Sequence, residues 1–159
     1  MKFFTLTIFL FLSSYFNQNS SWVEMRDLSD RFIISFPIAP EYKQQELNTE
    51  LGKVENETFY VNGLKGHPID TYFFNVLSYS YEIVDSKDDE EVEIVMQNTI
   101  LDLATNNKME TTYVKLNRDE EKGHPFAEVR YANKKAKKVM RAKIFLYRTR
   151  MIIMQVYMS

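Results

Sequence analysis

Cysteine is absent from the 159-residue chain, and histidine occurs only twice, at His67 and His124. Thiol nucleophiles, disulfides, iron–sulfur clusters, thiolate zinc sites and acyl-cysteine anchors are therefore excluded on chemistry. Glycine and proline number four each, too few for a flexible linker, a phosphate-cradling loop or a dinucleotide fingerprint. Neither sign of charge is in excess. The 20 Lys and Arg stand against 22 Asp and Glu, a net of −2, which predicts neither nucleic-acid binding nor bulk attraction to a membrane. Internal repeats are lacking as well. What is present is a 45% hydrophobic composition, sufficient at this length for one packed core.

The first residues form a pattern of their own. Lys2 supplies one positive charge, and Phe3 to Leu12 is an uncharged run that continues less apolar through Phe16. Such a run falls short of the ~20 residues needed to cross a bilayer as a helix, and it reads as a secretory signal peptide over residues 1–21. The expectation is a bacterial protein exported to the periplasm or beyond, beginning near Trp22, with no transmembrane helix in the mature chain. At the other end the sequence stops inside an alternating apolar run, Met151 to Ser159. Either that strand is central or a C-terminal element is missing.

Between the ends the dominant period is two. Alternation of apolar and polar residues predicts strands over 32–36, 53–61, 70–81, 111–116, 126–131, 138–147 and 151–158. The last three follow in quick succession and predict an antiparallel meander. One segment has a different period. Val92, Val95, Met96, Ile100, Leu103 and Ala104 recur at spacings of three and four, which places them on one face of a helix over 88–107. Ser86 with Asp89 three residues later resembles a capping box, and Asp88 to Glu91 set carboxylates where the helix dipole favours them. A lone amphipathic helix buries its stripe against the apolar face of a sheet. The expected fold class is α+β: a twisted antiparallel sheet of about six or seven strands with one main helix packed on one face, forming a single domain over 22–159.

Four pieces in this order resemble a known family. Trp22 with Phe32, Ile34, Phe36, Pro37 and Pro40, then Thr49, Gly52 and Val54, then Gly123, Pro125 and Glu128, then Met140 to Phe145, look like segments of uncharacterised secreted bacterial proteins similar to the PsbP fold of the photosystem II extrinsic subunit. The resemblance spans 22–158 and implies an antiparallel sheet with helical cover; it implies little about activity. The chain departs from the pattern at Phe126, where the family commonly has glycine, and it lacks the short terminal helix with two phenylalanines. That second departure implies an incomplete domain with part of the sheet's apolar surface uncovered, leaving open a homodimer through that face.

No catalytic residue, metal ligand or cofactor is assigned. His67 and His124 each stand between glycine and proline, the setting of a turn, and two ligands so far apart are a poor zinc or copper signal. The acidic run Asp85, Asp88, Asp89, Glu90, Glu91 and Glu93 lacks the alternation and the glycine of a calcium loop and reads as a solvated helix start. Gly-x-Ser-x-Gly is absent, and neither histidine has a recognisable serine partner. Asn19 and Asn56 match the glycosylation sequon by letter alone.

The most lopsided charge feature is basic. Lys134, Lys135, Lys137, Lys138, Arg141, Lys143, Arg148 and Arg150 place eight positive charges within 17 residues. On strand geometry Arg141 and Lys143 share a face with Phe145 and Tyr147, and Met140, Ala142, Ile144 and Leu146 point to the core. Such a hairpin suits an anionic protein, glycan or lipid headgroup, or else it is an edge hairpin kept soluble by lysines. Two functions follow. The first is a non-enzymatic extracytoplasmic binding or accessory domain. The second is a hydrolase or small-ligand carrier with a pocket between helix and sheet, lined by aromatics from Tyr72 to Tyr81.

Overall fold

The computed structural model describes residues 22–26, 33–49, 52–63, 69–83, 88–120 and 123–158. The signal peptide expected at 1–21 and the turn at His67 lie outside the described residues. The chain divides into two compact units between Ala39 and Pro40. In the first unit, β1 (Val23–Arg26) and β2 (Ile33–Phe36) pair antiparallel, with Val23 opposite Phe36.

The second unit holds β3 (Glu41–Thr49), β4 (Gly52–Asn62), β5 (Thr71–Tyr79), helix α1 (Asp89–Asn106), β6 (Glu110–Arg118), β7 (Pro125–Asn133), β8 (Lys138–Tyr147) and β9 (Arg150–Met158). Its strands form one seven-stranded antiparallel sheet in the order β3-β4-β5-β9-β8-β7-β6. Two meanders, β3-β4-β5 and β6-β7-β8-β9, thus meet along β5 and β9. The α+β expectation of one helix with a large antiparallel sheet holds at this level.

The helix is capped two residues later than the Ser86 pattern predicts. Asp88 is the N-cap, and its carboxylate accepts from the backbone N–H groups of Glu90 and Glu91 at 3.0 and 3.1 Å. Three acidic residues in the first turn add a favourable interaction with the helix dipole. Replacing Asp88 with alanine orphans those donors and lowers stability by about 1 kcal/mol, readable as a lower denaturation midpoint. At the other end Lys108 adopts φ 53°, the N–H of Met109 reaches the carbonyl of Ala104 at 2.9 Å, and that of Lys108 reaches Thr105 at 3.1 Å. This pair of bonds satisfies the last carbonyls and stops the helix.

Val92, Met96, Ile100 and Ala104 of α1 are buried against Ala127, Val129 and Tyr131 of β7 and Met140, Ile144 and Leu146 of β8. Val95 and Leu103 pack at the margin. The Tyr131 hydroxyl donates to the Ile100 carbonyl at 3.2 Å, tying helix to sheet from beneath. Along β8 the inward residues are Met140, Ala142, Ile144 and Leu146, as alternation predicts. The sheet face away from the helix is not left bare throughout: Phe59, Val61, Phe74 and Val76 lie on it by register and are buried.

Two further expectations change. The basic hairpin is not at an edge, because β7 and β8 are interior strands; the edges are β3 and β6. Strand β3, absent from the sequence reading, has only Tyr42 and Leu47 as apolar residues in nine. It is held by nine register positions against β4 rather than by burial. Gly52, at φ 118°, starts β4 in a conformation that side chains resist. Charged Glu41, Lys43 and Glu46 on β3, and the irregular register between Thr111 and Tyr113 on β6, keep the two edges from recruiting another strand.

Candidate functional site

Two surfaces of the second unit gather polar and aromatic side chains. The first is the face of β6–β9 away from the helix. Register places Arg130 directly opposite Arg141, and Lys143 and Lys115 on either side of Glu128. Lys143 pairs with Glu128 at 3.4 Å and lies over the rings of Phe126 and Phe145, 4.4 and 5.3 Å from their centroids. Arg130 lies 5.0 Å from the centroid of Tyr113. Tyr113, Arg130, Arg141 and Lys143 border a shallow depression of about 290 Å³ whose floor includes Met154 and Val156.

Of the eight basic residues expected to act together, Arg141 and Lys143 are on this face at mid-strand. Lys134, Lys135 and Lys137 sit in the β7–β8 turn with Lys138 at its end, and Arg148 and Arg150 belong to the opposite end of β8. A ten-residue strand separates the groups by roughly 30 Å. Arg148 also faces Glu82 at 3.4 Å. The structure adds Arg130 and Lys115 instead. Arg130 is readable from alternation, since Ala127, Val129 and Tyr131 point inward; a count along the chain misses partners contributed by adjacent strands.

The second surface is a groove of about 510 Å³ on the helix side of the sheet, beyond the end of α1 and over β3, β4, β5 and β9. Five amides line it: Gln45, Asn56, Asn75, Asn107 and Gln155. Thr58, Tyr60 and Tyr157 add hydroxyls, and Lys43 is the charged residue of the lining. Tyr60 and Phe73 stack at 5.9 Å, and Tyr157 meets Phe73 edge-on at 5.7 Å. The Tyr60 hydroxyl donates to Glu41 at 2.5 Å, and this bond to a carboxylate raises its pKa above the ordinary value. Burial pushes the Tyr157 hydroxyl up, against a downward pull from its bond to Asn107.

Proton bookkeeping orients the amides. Asn107 Nδ2 donates to the Leu103 carbonyl at 2.8 Å, so its Oδ1 accepts from Tyr157 at 2.7 Å. The Tyr157 hydroxyl also lies 2.8 Å from Gln155 Oε1, so its single proton is shared between two acceptors and the Gln155 NH₂ is not used in this contact. Thr58 Oγ1 donates to Asn75 Oδ1 at 2.9 Å. Asn56 Oδ1 is buried and has no hydrogen-bond partner among the described residues.

The aromatic run expected to line one pocket is split between faces. Phe73 faces the groove, whereas Tyr72 and Phe74 lie on the other side of the sheet by alternation. Directly beneath the helix the space is filled by the core. The candidate metal residues do not assemble either. His124 packs edge-on against Tyr147 with centroids 4.6 Å apart, His67 lies outside the described residues, and no group of three or more His, Asp or Glu that could hold a metal is present among the described residues. In the acidic run, Asp88 caps the helix, Asp89 pairs with Arg118, and Glu93 accepts from Gln97 at 2.8 Å. Among the described residues no helix is long and apolar enough to cross a membrane.

No protein-family model, curated protein or solved structure matches the chain.

Proposed function

We propose that this chain is a non-enzymatic binding domain that works outside the cytoplasm and receives an anionic partner on the β6–β9 face. One observation carries the reading: Arg130 and Arg141 stand directly opposite each other on adjacent strands. Like charges in that relation destabilise a sheet, and an anion seated between them relieves the repulsion. Lys143 and Lys115 extend the positive field, and Glu128 offsets part of it. Phe126, Phe145 and Tyr113 supply rings against which the cationic stems lie, a mixture suited to sulfate, phosphate or carboxylate groups carried on a larger surface. Placement outside the cytoplasm rests on the 1–21 sequence. The PsbP-like assignment rests on the four sequence segments, supported at the coarse level by the packing of α1 on an antiparallel sheet among the described residues.

The test uses heparin as a sulfated glycan and vesicles of phosphatidylglycerol as an anionic lipid, with phosphatidylcholine vesicles as the neutral control. Arg130→Gln with Arg141→Gln weakens retention on the preferred anion about tenfold and flattens its salt dependence, because two contacts are lost. The thermal midpoint stays level or rises as the repulsion disappears. Unaltered retention in this variant, with loss in Lys134→Gln, Lys135→Gln and Lys137→Gln together, moves the contact to the β7–β8 turn and defeats the proposal.

A further inference from the structure

We infer that the amide-rich groove beside the end of α1 binds a neutral carbohydrate. The argument is independent of the anionic partner, since the two surfaces lie on opposite faces of the sheet.

A saccharide offers hydroxyls that both donate and accept, together with a ring face of C–H groups. The groove supplies the complement of each. Amide side chains carry a donor and an acceptor side by side, so one amide spans two neighbouring hydroxyls. The Tyr60–Phe73 stack gives a flat apolar surface within reach of the same amides. The lining is mostly neutral: Lys43 is its one charged side chain among the described residues, and Glu41 nearby accepts from Tyr60.

The polar groups are also held in place rather than scattered. Gln155 is only 8% exposed, an unusual setting for an amide on a sheet. The Tyr157 hydroxyl bridges Gln155 Oε1 and Asn107 Oδ1, and Asn107 Nδ2 continues to the Leu103 carbonyl, which fixes the Gln155 amide through its oxygen and leaves its NH₂ as a donor. Asn75 is fixed through its oxygen by Thr58, which leaves its NH₂ as a donor facing the same space. Amide donors at Gln155 and Asn75 therefore converge, each oriented before any ligand arrives. Asn56 contributes a third amide whose buried oxygen lacks a donor, a cost that a hydroxyl reaching it removes. At about 510 Å³ the space matches a mono- or disaccharide. A hydrolytic role is not part of the inference, because no carboxylate pair lines the groove.

The experiment is binding of the folded protein to an array of neutral and anionic glycans, followed by titration of the best neutral disaccharide with ligand-observed NMR. Retention on neutral glycans is expected, about tenfold weaker in the Gln45→Ala, Asn75→Ala double variant with an unchanged thermal midpoint. Arg130→Gln with Arg141→Gln leaves neutral-glycan binding intact, so failure of the outer-face proposal does not register here. Should the double variant unfold, the single Gln45→Ala change on the exposed edge strand replaces it, with a smaller loss expected. Retention confined to sulfated or sialylated glycans, neutral binding indifferent to these substitutions, or no retention at all overturns the inference.

Discussion

Replacing Tyr131 with alanine lowers the unfolding free energy by about 3–5 kcal/mol, the range found when a large buried ring is cut back to a methyl group. Tyr131 is 0% exposed and belongs to the cluster that includes Met96, Ile100, Val129 and Met140. Its ring fills the space between β7 and α1, and its hydroxyl satisfies the Ile100 carbonyl. Alanine removes both. Tyr131→Phe removes the hydroxyl alone and costs about 1 kcal/mol, since the carbonyl sits in a helix that retains its own bonding. Chemical denaturation of the two variants separates packing from hydrogen bonding. A loss under about 1 kcal/mol for the alanine variant is incompatible with a helix seated on this strand.

Alkaline solution destabilises the protein more steeply than its composition suggests. Burial raises the pKa of Tyr131, Tyr157, Tyr79 and Tyr72 above the ordinary value near 10. In the unfolded chain these phenols release their protons as the pH passes ~10, whereas in the folded chain they hold them. The folded state then binds more protons, so stability falls as pH rises. Below that pH both states are protonated and the contribution is fully present. The limiting slope is about 1.4 kcal/mol per pH unit for each tyrosine that ionises only on unfolding. The thermal midpoint, followed from about pH 8 to pH 11, is expected to stay flat at first and then drop. Tyr131→Phe shows a shallower drop, and subtracting the two profiles removes the contribution of lysines that titrate in the same range. Equal slopes in the two proteins would falsify the assignment of Tyr131 as a buried phenol.

Legibility in the sequence followed burial. Helix α1 was readable because Val92, Met96, Ile100 and Ala104 repeat with the period of the structure that buries them. Strands β7, β8 and β9 were readable for the same reason at period two. Strand β3 was not, since an edge strand of mostly exposed residues leaves no apolar pattern. Its existence depends on the backbone partners offered by β4. The N-cap is Asp88 rather than Ser86, since either side chain suits a cap and the sequence pattern does not choose between them.

The sites were harder still. A cationic face assembled from Lys115, Arg130, Arg141 and Lys143 draws on three strands, and only two of those residues fall within the basic run. The groove draws on β3, β4, β5, β9 and the residue after α1. No spacing in the chain announces five amides that converge only through sheet order and register. Residue type was visible throughout, but adjacency was not.

The position of β9 sets the tempo at which this sheet can form. Thr71 of β5 meets Tyr157 of β9, a closure across most of the second unit. While β3 to β8 leave the ribosome, the two half-sheets have no shared seam. Their facing borders on β5 and β8 stay open until the ninth strand slides between them. Long-range closure of this kind is slow relative to local hairpins. The nascent polypeptide therefore stays unlocked until its keystone is synthesised.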